Sequence, residues 1–469
     1  MRAISRVLNV RRARMAQKSY TIDMCSGSIL PKMLRFSIPL MCSGLLQILF
    51  NTADIIVVGR FAGDNSLAAV GSTASLIHLL VNLFMGLSTG ASILAARHFG
   101  AKEDEEVHKT VHTAMFLSLI SGAALSLIGV LGAPALLQLM KSPPDVLPLS
   151  ILYLRIYFLG MPATMLYNFG AAILRSAGDT RRPLYYLGFA GIVNVTLNLI
   201  FVIVLHMDVA GVALATIISQ VISAYFVVRC LTLESGMFHL DLHQLRISPD
   251  KLRQILQIGI PAGLQGVLFS LSNVVIQSSI NTFGETVVAG NSAANSVENF
   301  LYVSVNAFHQ ANIAFTSQNY GGGHYRRIWR VFFLSTACSM VLGGVLGGLV
   351  ILTGPQLLGL YTTSAAVIAA GMTRLRITCM AYSIGSMMDT TVGTVRGLGY
   401  SVLPTIVTLI GACALRIVWL ATVFRIPQYH TIATIYWSYP ITWLLTALAH
   451  CVCVILIMRR IKRILEPES

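Results

Sequence analysis

The chain has 469 residues, of which 55% are hydrophobic and 11% charged, and its formal net charge is +15. Apolar runs of twenty or more residues recur from about residue 36 to the C-terminus, which excludes a soluble globular protein and indicates a polytopic membrane protein. Most lysines and arginines lie in the N-terminal tail and then in every second loop. This pattern explains the basic charge without a nucleic-acid partner, and the positive-inside rule predicts that both termini are cytoplasmic.

Apolar runs separated by turns or charges predict an all-α fold with 12 transmembrane helices. The basic N-terminal stretch has no short apolar segment before a small-residue cleavage site, so we interpret it as a cytoplasmic tail that starts at Met1 or Met15. We expect a monomer in the cell membrane, in contact with membrane lipids. In chain order, the predicted helices begin near residues 33, 67, 111, 147, 184, 209, 253, 287, 328, 367, 402 and 431.

Three segments of the first half recur in the second half. The offsets are 222, 221 and 221 residues, so the matches share one register. Each copy holds six helices, an even number, which predicts two pseudo-symmetric six-helix lobes of parallel topology with a solute site between them. The matched segments are 37–40 with 259–262, 96–101 with 317–322, and 175–183 with 396–404.

These patterns predict five regions of the chain. They are a tail at 1–32, an N-lobe at 33–231 with helices 1–6, a cytoplasmic linker at 232–251, a C-lobe at 252–461 with helices 7–12, and a tail at 462–469. The linker is amphipathic and is interpreted as a possible interfacial helix. It is too short for a nucleotide-binding domain, and the chain has no phosphate-binding Gly-x-x-x-x-Gly-Lys-Ser/Thr sequence, so no nucleotide partner is expected.

Of the eighteen acidic residues, only Asp54, Glu298 and Asp389 lie well inside apolar helices. A charge near the middle of a membrane helix costs at least about 2.5 to 3.5 kcal/mol, so it normally has a task or a partner. Asp54 shares one stripe of the first helix with Gln47 and Asn51, and such a stripe should face water or protein. The pattern favours a carboxyl group that exchanges an ion; the alternative is an aspartate that only fixes helix packing.

Two further polar faces lie in the second half. On the eighth helix, Glu298 could neutralise a substrate cation while Tyr302 offers its ring, or the face could be a structural seam between helices. Asp389 is either a site residue or an aspartate satisfied by neighbouring hydroxyl groups. The face that contains Glu298 consists of Asn291, Asn295, Glu298, Tyr302, Asn306 and His309.

One enzyme-like pattern occurs, Gly-Leu-Ser-Thr-Gly at 86–90. A hydrolase nucleophile of this type requires a strand-to-helix turn, whereas this segment lies within an apolar helix. No metal-ligand spacing such as His-Glu-x-x-His is present. We therefore expect no catalytic residues, no metal and no organic cofactor, and a membrane-embedded hydrolase is only a remote alternative. A channel fits two pseudo-symmetric lobes less well than a carrier does.

Several segments together resemble the multidrug and toxic compound extrusion (MATE) family over about residues 28–460. They are Asn-Thr-Ala-Asp-Ile-Ile-Val-Val-Gly-Arg at 51–60, Leu-Ala-Ala-Val-Gly at 67–71 and Ile-Leu-Arg-Ser-Ala-Gly-Asp at 173–179. The resemblance implies a secondary antiporter that exports bulky, often cationic drugs in exchange for H+ or Na+ by alternating access. It also implies that Asp54 is the carboxylate linked to the coupling ion.

Two departures from the family pattern leave the coupling site open. One branch has a second aspartate where this chain has Asn198, one turn after Asn194, and another branch has an acidic residue where this chain has Gln265. Coupling through Asp54, through the acidic residues of the second half, or through both stays open, as does the choice of H+ or Na+. The expected ion-coupling residues are Asp54, Asn51, Gln47, Asn194 and Asn198, and the expected residues of the substrate cavity are Glu298, Asn295, Tyr302, Asp389 and Gln265.

A flippase for lipid-linked sugars is the alternative carrier function. Its cavity should be cationic, because it has to bind pyrophosphate. The intramembrane charges recognised in the sequence are mainly acidic, which favours the drug exporter.

Overall fold

The structure is a computed structural model that describes residues 20–140 and 143–465. Within these ranges the chain is almost entirely helical and contains no β-strand. The predicted all-α class is therefore confirmed. The predicted tails at 1–32 and 462–469 lie in large part outside the described residues.

The first half contains seven α-helices that form six rods. α4 and α5 together make one rod, because they are separated only by Gly160 and are bent by 47°. Pro162 in the first turn of α5 accounts for the break, since a proline cannot continue the hydrogen bonding of the preceding helix. The helices are α1 (Ile29–Phe61), α2 (Asp64–Ala101), α3 (Asp104–Leu139), α4 (Leu147–Leu159), α5 (Met161–Ser176), α6 (Arg181–Leu199), which a π-helical turn (Ile200–Val204) extends, and α7 (Asp208–Leu233).

The second half repeats this order. Its fourth rod is again a pair, α11 and α12, with a break at Ala381, and its fifth rod contains a π-helical segment (Leu409–Ala414) between α13 and α14. The helices are α8 (Pro249–Asn281), α9 (Glu285–Gly321), α10 (Tyr325–Gly359), α11 (Ala365–Met380), α12 (Tyr382–Gly397), α13 (Val402–Thr408), α14 (Leu415–Ala421) and α15 (Ile432–Leu465).

Paired glycines confirm the predicted repeat at the level of the backbone. Gly63 and Gly284 each precede the second rod of their half, and both have a φ of 89°. Gly178 and Gly399 each follow the fourth rod, with φ of 88° and 91°. Residues with a side chain rarely adopt such positive values, so each pair marks a turn that requires glycine. Both pairs are 221 residues apart, which is the register read from the sequence.

Not every rod is apolar enough to cross a membrane by composition alone. Among the described helices, nine single spans pass a length and hydropathy test, and the bent pair α4–α5 makes a tenth. The two rods that do not pass are α9 and the pair α11–α12. These rods carry the polar residues of the second half, and much of α9 is buried in protein.

The described chain divides into two compact units. The first comprises the described residues before Cys25 together with Cys42–Ile260, and the second comprises Cys25–Met41 together with the described residues from Pro261 onward. α1 and α8, the first helices of the two halves, each pass from one unit to the other close to a proline, Pro39 and Pro261. The lobe limits given by the sequence stay a prediction.

The interiors of the two units differ. In the first unit, most of the described buried apolar residues belong to one continuous cluster that runs from Val57 to Ile255. In the second unit, they form several separate clusters. Polar side chains buried along α9, α11 and α12 lie among these clusters.

The predicted interfacial helix in the linker is wrong. Between α7 and α8, the chain forms only a short 3-10 turn, Leu242–Gln244, within residues 234–248. Gly236 has a φ of 118°, and the Asp241 side chain accepts a hydrogen bond from the backbone N–H of His243. Both features favour turns over helix, because an Asx side chain competes with the helical hydrogen bonds.

Candidate functional site

α1 and α6 bring Asp54, Asn198 and Asn194 together in the first unit. The Asn198 amide nitrogen donates hydrogen bonds to Asp54 Oδ1 and, at 3.3 Å, to Asn194 Oδ1. Asn194 in turn donates to the Thr216 hydroxyl of α7 at 3.4 Å. Both asparagines are buried, and Asp54 is half-buried. Three of the five expected ion-coupling residues, one on α1 and two on α6, therefore form one hydrogen-bonded chain.

This cluster holds a carboxylate without a cation. Among the described residues, no lysine, arginine or histidine forms an ion pair with Asp54. The Oδ1 atom of Asn198 is buried and has no hydrogen-bond partner in the described part of the chain. A buried acceptor is normally satisfied, so the cluster contains one unused acceptor next to a carboxyl group.

Gln47 and Asn51 do not join the Asp54 cluster. Both side chains are exposed, and neither makes a described hydrogen bond to Asp54. They lie on the same helix as Asp54, as the sequence indicates, but the residues that contact its carboxylate come from α6. A shared stripe therefore does not make these two side chains contacts of the carboxylate, and their part in ion coupling stays a prediction.

Glu298 lies in a second cluster, built by α9, α11 and α15 in the second unit. Arg374 of α11 donates to both carboxylate oxygens of Glu298, from Nε to Oε1 at 3.0 Å and from Nη2 to Oε2 at 2.7 Å. The Thr378 hydroxyl donates to the same Oε1 at 2.5 Å. Glu298 is 8% exposed and Arg374 is 5% exposed, so this is a buried bidentate ion pair.

Two asparagines of α9 complete the coordination of Arg374. Asn291 Oδ1 accepts from Nη1 at 2.7 Å, and Asn295 Oδ1 accepts from Nη2 at 3.1 Å. The Tyr436 hydroxyl of α15 also donates to Asn291 Oδ1, at 3.2 Å. Every nitrogen of this guanidinium group therefore has an oxygen partner.

The ion pair contradicts the prediction that Glu298 neutralises a substrate cation. Its negative charge is already compensated by Arg374, and its two oxygens accept three hydrogen bonds. Asn295 likewise binds Arg374 and is not a free polar group. Sequence reasoning missed Arg374, although the rule that a charge inside a membrane helix has a task or a partner applies to arginine as much as to aspartate.

The remaining residues of the α9 face separate into two groups. Asn306 donates to the Tyr302 hydroxyl at 3.2 Å, and the Tyr302 side chain is 47% exposed. His309 is buried, and its Nδ1 lies 2.6 Å from the backbone oxygen of Asp389 on α12. The face therefore contacts α11 at one end and α12 at the other, and one exposed aromatic ring lies between these contacts.

Asp389 keeps a carboxylate without an ion pair in the described chain. It lies within electrostatic range of Tyr302, which places an acidic group and an aromatic ring in the same region of the second unit. Gln265 of α8 belongs to the same region: its Oε1 accepts from Arg396 Nη2 at 2.6 Å, and Arg396 lies within electrostatic range of both Asp389 and Tyr302. The expected substrate residues are thus divided between the Arg374 cluster and one region that contains Asp389, Tyr302 and, through Arg396, Gln265.

Buried positive charge is more abundant than the sequence indicated. Arg374, Arg396 and Arg416 are 5%, 8% and 0% exposed, and all three belong to the second unit. The interpretation that the intramembrane charges are mainly acidic is therefore wrong for this unit. The sequence interpretation rests on the acidic residues inside the helices and does not include these three arginines.

The serine pattern at 86–90 forms no nucleophile elbow. Ser88 lies inside α2, is buried, and donates to the backbone oxygen of Met85 at 2.8 Å. In the part of the chain that the structure describes, no group of three or more histidine, cysteine or acidic side chains is arranged to hold a metal ion.

Comparison with known proteins identifies relatives that are described as multidrug resistance proteins or transporters. The chain is 28% identical over 391 residues to the probable multidrug resistance protein YoeA of Bacillus subtilis (strain 168), covering 81% of this chain and 84% of that protein. It is also 28% identical over 302 residues to the FAD transporter of Shewanella oneidensis, covering 62% of this chain and 66% of that protein. A solved outward-facing multidrug resistance MATE family transporter shares the fold, with a TM-score of 0.87 at 23% identity over 94% of this chain and 98% of that chain.

The family match follows the internal repeat. The MatE family profile matches residues 39–200 and again 261–422, which are two copies of the same length separated by 222 residues. Together these segments cover more than half of the chain. The protein belongs to the MatE family of membrane transporters.

Proposed function

We propose that this chain is a secondary antiporter that exports bulky organic molecules across the cell membrane in exchange for protons. One observation carries the proposal: Asp54 is held by the amide of Asn198 and has no cationic partner in the described chain. A carboxylate paired with arginine stays ionised, whereas one held by amides can gain and lose a proton at modest cost. Asp54 is therefore the group through which the transport cycle senses the proton gradient.

The Asn198 amide can serve both protonation states of Asp54. Its nitrogen donates to the ionised carboxylate, and its unpaired Oδ1 can accept the O–H of the protonated form after rotation of the amide. Protonation then changes the hydrogen bond that joins α1 to α6. A ligand shifts a conformational equilibrium only by its differential affinity for the two states, and this bond supplies such a difference.

The substrate region that we propose is Asp389 with Tyr302. A carboxylate without an ion pair in the described chain, in the same region as a half-exposed aromatic ring, suits an organic cation. The relative from Bacillus is described as a probable multidrug resistance protein, which supports a range of bulky substrates. Glu298 has no part in this proposal, because Arg374 neutralises it. We also propose that both termini are cytoplasmic, as the distribution of basic residues indicates.

The test is efflux of a fluorescent cationic dye from proteoliposomes under an imposed pH gradient or an imposed Na+ gradient. The parent protein, Asp54→Asn and Asp64→Asn are compared, because Asp64 is an exposed aspartate at the start of α2 and serves as the matched control. We expect the pH gradient to drive efflux in the parent and in Asp64→Asn, and Asp54→Asn to abolish the response to the gradient. Unchanged coupled efflux in Asp54→Asn would contradict the role of Asp54, and efflux driven only by the Na+ gradient would replace the proton by sodium.

A second candidate is a carrier of anionic molecules, including the lipid-linked sugars considered from the sequence. The observation that favours it is the set of three buried arginines in the second unit. The relative from Shewanella is described as an FAD transporter, and FAD carries a pyrophosphate group. Proteoliposomes loaded with FAD distinguish the two functions, since an exporter of cations leaves FAD inside under either gradient.

A further inference from the structure

Arg416 is a buried arginine whose charge the described chain does not compensate. It lies in α14, directly after the π-helical segment, inside an apolar rod, and its side chain is 0% exposed. Two of its three guanidinium nitrogens, Nε and Nη1, have no hydrogen-bond partner among the residues that the structure describes. The third, Nη2, donates to the Thr442 hydroxyl of α15 at 3.3 Å. The guanidinium group therefore retains unused donors in a place that excludes bulk water.

Arg374 shows how a buried arginine is normally satisfied in this unit. Its nitrogens make four hydrogen bonds to oxygens, and two of these oxygens belong to the Glu298 carboxylate. Arg416 forms no ion pair with any described carboxylate. The charged side chain that interacts electrostatically with Arg416 is Arg374, which is also positively charged. Together with Glu298, the two arginines leave one positive charge in excess.

Aromatic contacts compensate only part of that charge. The Tyr439 ring centroid lies 4.1 Å from Cζ of Arg416, which is a close cation–π contact, and the Phe269 ring lies 5.9 Å away. A ring face offers no lone pair to the N–H groups at Nε and Nη1. The Cys413 thiol interacts with both Arg416 and the Ser272 hydroxyl, which places another polar group close by.

We propose that Arg416 is an anion-binding site. A buried guanidinium with free N–H groups is strongly disfavoured unless a negative group reaches it, and arginine is the side chain best suited to bind carboxylate or phosphate oxygens. The ligand is an anionic group, supplied either by a small ion such as chloride from solution or by the acidic part of a transported molecule. The site is distinct from Asp54, which belongs to the other unit, and it holds whether or not the proposed proton coupling is correct.

The test measures the melting temperature of the full chain in lipid nanodiscs. Sodium gluconate is replaced stepwise by sodium chloride at constant ionic strength, and FAD is titrated separately in gluconate. The variants are Arg416→Gln, which removes the charge, Arg416→Lys, which keeps it, and Arg376→Gln, which removes an exposed arginine of α11 as the matched control. The melting temperature does not depend on transport, so a negative result for anion binding at Arg416 can be told apart from a failure of the antiport proposal.

We expect a saturable rise in melting temperature in the parent, Arg376→Gln and Arg416→Lys, and its loss in Arg416→Gln. A rise with chloride identifies a solution ion as the ligand, and a rise with FAD alone identifies an acidic transported molecule. In gluconate, Arg416→Gln should melt no lower than the parent, because it removes an uncompensated charge. The absence of a saturable response to both probes in the parent, or the same response in Arg416→Gln, would overturn the proposal even if one variant folds poorly.

Discussion

Asp54 and Glu298 are carboxylates inside membrane helices, but they are held in opposite ways. Asp54 accepts a hydrogen bond from a neutral amide, and the described chain gives it no ion pair. Glu298 accepts two hydrogen bonds from a guanidinium group and one from a hydroxyl. A carboxylate in the first setting can change its charge during a transport cycle, whereas one in the second is kept ionised by its partner.

The internal repeat does not relate these two sites. With an offset of 221, the position that corresponds to Asp54 is Val275, and the position that corresponds to Glu298 is Ile77. Each half therefore places its carboxylate on a different helix, α1 in the first half and α9 in the second. The comparison shows that the duplicated fold is kept in its backbone and turns, while neither of these two intramembrane carboxylates has an acidic counterpart in the other half.

The largest expected effect comes from breaking the buried ion pair. Glu298→Gln leaves Arg374 buried without a carboxylate, and removal of one partner of such a pair costs about 3 to 5 kcal/mol of the free energy of unfolding. We expect a large fall in melting temperature in detergent or nanodiscs. A double variant, Glu298→Gln with Arg374→Met, should recover most of the loss, because it removes both charges.

Asp54→Asn is the matched comparison for that measurement. It also removes one intramembrane carboxylate by an isosteric change, but it leaves no cation unpaired, so we expect a cost below about 1 kcal/mol. If Glu298→Gln and Asp54→Asn lower the melting temperature equally, the proposed contrast between a carboxylate paired with arginine and a carboxylate bound only by an amide is wrong.

The sequence predicted those parts of the fold that depend on local patterns. The repeat register and the succession of rods are set by hydrophobic runs and by the turns and charges that separate them. The breaks within the fourth rod of each half are not predicted, because no charged residue lies next to Gly160 or Ala381 to divide the segment, and each segment is interpreted as one helix.

The candidate site could be predicted from the sequence only where the residues of a single helix are enough to identify it. Asp54 is recognisable because a carboxylate in an apolar helix is rare. The partner of Glu298 is not recognisable in the same way, because Arg374 lies 76 residues away and the sequence does not show which helix faces α9. A single stripe of polar residues specifies a face, and only tertiary packing decides whether that face meets water, a substrate or another side chain.

Asn198 offers an intermediate effect within the Asp54 cluster. Asn198→Ala removes the donor to a carboxylate, and hydrogen bonds to charged groups are worth about 1.5 to 3 kcal/mol. Asn194→Ala removes only neutral hydrogen bonds, which are worth about 0.5 to 1.5 kcal/mol. We expect melting temperatures in the order parent, Asn194→Ala, Asn198→Ala, with a loss of pH-driven efflux only in Asn198→Ala. The reverse order would show that Asn194 holds the carboxylate.

The smallest expected effect concerns Gln47 and Asn51, which share the stripe of Asp54 but are exposed and do not contact its carboxylate. Exposed side chains without described partners change stability by less than about 0.5 kcal/mol when they are replaced by alanine. We therefore expect Gln47→Ala and Asn51→Ala to keep both the melting temperature and the proton dependence of efflux, measured beside Asp54→Asn in the same proteoliposomes. If either variant loses proton coupling while its melting temperature is unchanged, the ion-coupling site extends along α1 as the stripe predicts, because an exposed amide can affect coupling without stabilising the fold only by contacting the ion or the carboxylate during the cycle.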